Sequence, residues 1–85
     1  MRNIIAVFGN RNHTMQFASY LKRLGIRCKT INTPRELTVS CGISIVFLER
    51  DLQRVRGLIY QLKLSSYLGM YLVLSDNVFT KYKKI

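Results

Sequence analysis

The chain has 85 residues, and its 14 Lys and Arg against 4 Asp and Glu give a formal net charge of +10 at pH 7. This length allows a single domain, residues 1–85, with a core of about 3–74 and a basic C-terminal tail, 75–85. No apolar run approaches the ~20 residues of a membrane span, and the N-terminal run is shorter than the ~7–15 residues of a signal-peptide core. We therefore expect no membrane contact and a cytoplasmic location.

In the first half of the chain, the apolar residues 3–9 predict a strand that ends at Gly9. Asn12 is a candidate N-cap for a helix over about 13–24, and Gly25 suits its C-terminal cap. Apolar residues recur at helical spacing in that segment: Phe17, Ala18, Leu21 and Leu24. Residues 26–31 predict a second strand with one charged face, which indicates an edge position in a sheet.

In the second half, residues 43–48 predict a third strand, about 50–64 a second helix and 68–74 a fourth strand. The core stripe expected for the second helix is Leu52, Val55, Ile59 and Leu62. The order β-α-β-β-α-β predicts an α+β, ferredoxin-like sandwich: a four-stranded antiparallel sheet in the order 4-1-3-2, with two helices on one face. In that topology Cys41 should lie near residues 9–12, where the first helix begins.

The segment 33–42, Thr-Pro-Arg-Glu-Leu-Thr-Val-Ser-Cys-Gly, places Cys41 where a polar loop meets an apolar strand. A thiol reacts as the thiolate, and helix N-termini or nearby cations such as Arg11 and Arg35 lower its pKa. Gly42 lets another group approach the sulfur closely. The alternative is a half-buried Cys at a strand start, and a Cys-Gly pair leaves both interpretations open.

The chain resembles the selenium/sulfur carrier protein-like family over about 3–74. The resemblance rests on Thr33 to Leu37, Ser40 to Ile43, Phe47 and the pair Gly25-Ile26. The resemblance implies that Cys41 holds a persulfide or selenopersulfide and passes it to an acceptor. It makes Ser40, Gly42, Arg35 and Pro34 the supporting residues of Cys41. It also implies donor and acceptor proteins as partners.

The remaining residues indicate little further chemistry. Cys28 alternates with Arg27 and Lys29, which favours a packed core thiol facing the helices. Two cysteines and one histidine are too few for a structural zinc site, and residues 9–12 lack the glycine spacing of a phosphate loop, so we expect no metal and no cofactor. His13 is interpreted as an exposed polar residue, and a base for Cys41 is the alternative. Because no second catalytic group stands out, the sequence favours a carrier over an enzyme.

The charge of +10 supports a different function, a basic binding module without chemistry that binds nucleic acid or an acidic partner protein. The ferredoxin-like fold is shared with RNA-recognition modules, but the third strand has one aromatic residue, Phe47, and lacks their motif. A third alternative is a homodimer formed through an open sheet face that includes Tyr67 and Tyr71.

Overall fold

The computed structural model describes residues 2–37 and 42–85. The elements are β1 (Asn3–Phe8), α1 (Arg11–Arg23), β2 (Cys28–Asn32), β3 (Ile43–Leu48), α2 (Leu52–Leu62), β4 (Tyr67–Ser75) and β5 (Thr80–Lys84). Short 3₁₀ turns at Arg35–Leu37 and Glu49–Asp51 precede β3 and α2. The described part of the chain is therefore of the α+β class, with two helices and one sheet.

The sheet has the strand order β2-β3-β1-β4-β5, and every neighbouring pair is antiparallel. Read from β4, the first four strands follow the succession 4-1-3-2 that the sequence predicts, and β2 lies at an edge as expected. The count of four strands is wrong, because β5 pairs with β4 from Ser75↔Thr80 to Tyr71↔Lys84. Part of the segment interpreted as a basic tail, Thr80–Lys84, is thus an edge strand.

A tight turn around Asp76 returns the chain into β5. The Asp76 carboxylate accepts backbone hydrogen bonds from Phe79 N at 2.6 Å and Val78 N at 2.7 Å, and Asp76 N donates to Phe79 O at 2.9 Å. These hydrogen bonds favour the charged form, so they lower the pKa of Asp76. The turn aligns Thr80 with Ser75, so that β5 pairs with β4. The lysines of β5 remain exposed to solvent in this paired strand.

Each face of the central strand β1 belongs to a different apolar cluster. Ile4, Ala6 and Phe8 pack in a core with α1 and α2 residues, among them Phe17, Leu21, Val55 and Ile59. Ile5 and Val7 point to the opposite face, where they pack with Leu37 of the first 3₁₀ turn. Both helices therefore cover one face of the sheet, and among residues 2–37 and 42–85 the smaller cluster lies on the other face.

An irregularity in the β1–β4 ladder reverses the side on which Tyr67 lies. Val7 pairs with Gly69 but Phe8 pairs with Tyr67, so Leu68 is an extra residue in β4. A bulge of this kind shifts the alternation of side chains by one position. Tyr67 therefore packs in the helix-side core, with its ring 5.6 Å from that of Phe8, and the expectation that it lies on the open face is wrong.

The second helix is shorter than the predicted range of 50–64. The first residues of the predicted range belong to the 3₁₀ turn Glu49–Asp51. The helix itself ends at Leu62, and the next residue, Lys63, has a left-handed φ of 51° that stops the helical hydrogen bonding. Val55 and Ile59 are buried, whereas Leu62, a predicted member of the core stripe, is 40% exposed. The stripe is therefore narrower than the apolar spacing suggests, and Leu58 packs against the core instead.

We expect Phe8→Ala to lower the free energy of unfolding by about 3–5 kcal/mol, because it opens a cavity at the centre of the helix-side core. Phe79→Ala is the matched control: Phe79 is 64% exposed, whereas Phe8 is 0% exposed, so the change should stay within about 0.5 kcal/mol. Urea unfolding followed by circular dichroism measures both. Equal losses in the two variants would contradict this packing.

Candidate functional site at the loop edge

One edge of the sheet collects the end of β1, β2 and β5 and the start of β3 and β4, and we call it the loop edge. The antiparallel pairings require this, since Val7 opposes Ser44, Phe8 opposes Tyr67 and Asn32 opposes Ile43. The helix α1 begins there at Arg11, a few residues after β1 ends. The shared edge agrees with the topology predicted from the sequence.

The N-terminus of α1 is capped by Asn10. The Asn10 side-chain oxygen accepts a hydrogen bond from His13 N at 3.1 Å, and its backbone carbonyl accepts from the Thr14 N–H and hydroxyl, both at 3.1 Å. The prediction that Asn12 is the cap is wrong by two residues, since Asn12 lies inside the helix. No acid lies in the first turn, and Arg11 adds its charge to the positive end of the helix dipole.

His13 connects the start of α1 to the segment before β4. Its Nδ1 and the Ser66 hydroxyl share a hydrogen bond of 2.6 Å, while Gly9 N donates to the Ser66 carbonyl at 2.7 Å. His13 is half-buried, so the interpretation of an exposed polar residue is wrong. The sequence offers no local signal for this pair because 53 positions separate the two residues.

The loop between β2 and β3 is fixed where its ends meet the sheet. Thr33 N donates to Gly42 O at 2.9 Å, and the Thr33 hydroxyl shares a hydrogen bond of 2.6 Å with the buried Ser44 hydroxyl. Leu37 N donates to Pro34 O at 3.0 Å, and the Leu37 side chain is buried against β1. The residues on either side of 38–41 are thus held by backbone contacts and by packing.

The supporting residues expected from the sequence lie on both sides of that segment. Pro34 is half-buried, and Arg35 begins the 3₁₀ turn with an exposed side chain. Gly42 has a φ of +80°, a conformation that residues with a Cβ rarely adopt, which explains a glycine at this position. Cys41 and Ser40 lie outside the described residues, as does the expected proximity of Cys41 to residues 9–12.

Cys28 lies far from this loop in the ladder, opposite Phe47 near the end of β3. It packs at the margin of the helix-side core, and its Sγ donates to the Ala18 carbonyl at 3.7 Å. Burial raises the pKa of Cys28, and the charge of Lys22 offsets part of that effect. Cys28 faces the helices as predicted, although it is half-buried rather than fully enclosed.

Residues 3–71 match the family described as "Putative Se/S carrier protein-like". The chain belongs to this family. The match includes β1 through the first part of β4 and contains the whole loop between β2 and β3. Neither the curated proteins nor the solved structures gave a match.

This Se/S carrier-like domain also has a groove of about 530 Å³ between α2 and β4. Its walls are Arg56, Ile59, Tyr60, Lys63, Leu64, Tyr67 and Met70. Burial raises the pKa of Tyr67, and the charge of Arg56 offsets part of that rise. Sequence reasoning missed the groove because it depends on the bulge that turns Tyr67 towards the helices.

Neither a cluster of metal ligands nor a membrane-spanning helix is found in the described part of the chain, residues 2–37 and 42–85. No group of three His, Cys, Asp or Glu side chains there could hold a metal ion. None of the helices found there has the length and apolar character needed to cross a membrane.

We expect Asn10→Ala to lower the free energy of unfolding by about 0.5–2 kcal/mol, because the His13 N–H loses its capping acceptor. Asn12→Ala removes the same side chain two residues later, inside the helix, where alanine has the higher helix propensity, so it should cause no loss. Urea unfolding of both variants measures the difference. A greater loss for Asn12→Ala would contradict the assignment of the cap.

Proposed function

We propose that this domain carries sulfur or selenium between a donor and an acceptor protein, as a persulfide or selenopersulfide on Cys41. The family match over residues 3–71 supports this proposal, because the matched region contains the Ser40-Cys41-Gly42 sequence. Neither Cys28 nor any other described side chain offers an equivalent thiol at the loop edge. The domain acts as a carrier, and no turnover is required of it.

Loading is a substitution at sulfur. The Cys41 thiolate attacks the outer sulfur of a cysteine persulfide on the donor protein, a new S–S bond forms, and the donor cysteine leaves as a thiolate. The transferred sulfur keeps its oxidation state, so loading needs no external oxidant or reductant. A donor selenopersulfide delivers selenium in the same way. An acceptor thiolate then attacks the outer atom, and Cys41 is the leaving thiolate.

The described residues around the loop suit a carrier that must expose a reactive thiolate. Arg35 and the N-terminus of α1 with Arg11 supply positive charge at the loop edge, which favours the thiolate over the thiol. Pro34 and the buried Leu37 fix the chain on one side, and Gly42 gives free access on the other. Ser40 is proposed as a hydrogen-bond donor to the sulfur.

We expect iodoacetamide to label Cys41 about tenfold or more faster than Cys28 in the native protein near pH 7, because burial keeps Cys28 as a thiol. Peptide mass spectrometry after timed quenching measures both rates in one sample. Incubation of the Cys28→Ser variant with glutathione persulfide should then add one sulfur atom to the peptide that contains Cys41.

Cys41→Ser is the matched control and should gain no sulfur under the same conditions. Slow labelling of Cys41, with a pH midpoint of alkylation near the free-thiol pKa of ~8.5, would argue against a reactive thiolate. If Cys41 is labelled fast but retains no sulfur, the carrier function is contradicted, although the thiol is then still shown to be reactive.

We expect Arg35→Gln to raise the pH midpoint of Cys41 alkylation, because the variant removes a cation that favours the thiolate. The shift should shrink at high salt, since exposed charges are screened. Arg50→Gln is the control, because Arg50 follows the end of β3 at the opposite edge of the sheet. Equal midpoints in the wild-type protein and Arg35→Gln would remove Arg35 from the site.

A further inference from the structure

The sheet face opposite the helices forms a shallow surface that we call the open face. Its apolar part consists of Ile5, Val7, Ile31, Val46, Tyr71, Val73 and Tyr82, with Leu37 packed against it. Ile5, Val7 and Leu37 are buried, while the other five are half-buried and reach solvent. No second layer of helices covers this surface in the part of the chain that is described.

The fifth strand changes the chemistry of the open face. Tyr82 of β5 pairs with Val73 of β4, which brings Tyr82 and Tyr71 onto adjacent strands of the same face. Lys84 pairs with Tyr71, and its side chain covers Gly69: a Cβ added at Gly69 would lie 3.0 Å from Lys84 Cε. Two aromatic rings and one cation thus lie side by side on β4 and β5.

A single row of paired residues crosses the whole open face. Lys29 of β2 opposes Val46, Val46 opposes Ile5, Ile5 opposes Tyr71, and Tyr71 opposes Lys84. Strands are about 4.8 Å apart, so the backbones that carry the two lysines are separated by about 19 Å. The row therefore has a cation at each end and an aliphatic and aromatic surface between them.

The five described strands contain no Asp or Glu. Within residues 2–37 and 42–85, Arg50 and Asp51 form an ion pair at 4.0 Å, and both residues lie outside the strands. The lysines of the open face therefore have no acidic neighbour in the sheet. Two copies packed face to face would bring like charges together, which disfavours the homodimer and favours an anionic occupant.

We propose that the open face binds single-stranded nucleic acid. Bases would stack on Tyr71 and Tyr82, and the phosphates would contact Lys29 and Lys84 at the two sides. The tyrosines favour nucleic acid over an acidic protein segment, because each ring offers a π-face on which any base can stack, whereas a carboxylate gains only the phenolic hydroxyl as a hydrogen-bond donor. Since stacking is sequence-tolerant, the binding has little sequence preference.

The test uses the full chain and a fluorescently labelled single-stranded oligothymidylate of about 12 nucleotides, with binding read by anisotropy at about 50 and about 200 mM salt. Tyr71→Leu and Tyr82→Leu should each weaken binding by about 5- to 150-fold, the effect of one lost stacking contact. Tyr60→Leu is the matched control, because Tyr60 is 83% exposed on α2 and should not affect binding.

Variants of the open-face lysines allow a second measurement, which does not depend on whether the tyrosine variants fold. Lys29 and Lys84 are exposed, so Lys29→Gln combined with Lys84→Gln should keep the native urea midpoint. We expect the double variant to reduce the slope of log affinity against log salt by about 1.4 units, which is about 0.7 per lost phosphate contact. Lys22→Gln combined with Arg23→Gln, on the last turn of α1, should leave the slope unchanged.

Five results would overturn the proposal. Two are absence of binding at about 50 mM salt and an equal loss of affinity in Tyr60→Leu. Two more are equal affinity for a duplex and equal affinity for polyglutamate of the same charge. The fifth is a dimer in sedimentation experiments whose formation blocks binding of the oligonucleotide. Equal affinity for polyglutamate would identify an acidic protein as the occupant. Cys41→Ser should bind the oligonucleotide like the wild type, so this inference and the carrier function can fail independently.

Discussion

Strand β1 is buried on both faces, and the positions of the loop edge and of the open face depend on that constraint. Its side chains alternate between the helix-side core and the open-face cluster, so one run of apolar residues from Ile4 to Phe8 joins the two clusters. Because β3 and β4 both pair with β1, the start of each of these strands is placed beside the end of β1. A central strand buried on both sides reads as a continuous apolar run, as it does here.

The contacts at the loop edge hold segments that are distant in sequence. Asn10 caps α1, His13 reaches Ser66 before β4, and Thr33 connects to Gly42 and Ser44 across the β2–β3 loop. These are polar contacts at the rim of a small core, where water competes, and each contributes only about 0.5–1.5 kcal/mol. The frame of the site is therefore held in place mainly by the packing of the strands beneath it.

The sequence predicted the elements that have strong periodicity and missed features that depend on non-local geometry. The strands, the two helices and the succession β4-β1-β3-β2 follow from apolar runs and from short connections. The bulge at Leu68 has no local signature, so the face that the sequence predicts for Tyr67 is wrong. The strand β5 was hidden because three of its five residues are lysines, which form a strand here only through pairing with β4.

Lysines on outer strands have a general structural role, and it must be separated from ligand binding. The two edge strands β2 and β5 carry Lys29, Lys81, Lys83 and Lys84, and charged side chains at a sheet edge oppose pairing with another chain. That role explains cations on either face of an edge strand. Lys81 and Lys83 lie on one face of β5 and Lys84 on the other, because side chains alternate along a strand. It does not account for the neighbouring Tyr71 and Tyr82 or for strands without carboxylates. Edge protection and anion binding are compatible here, because the same lysines that repel a second copy attract a polyanion.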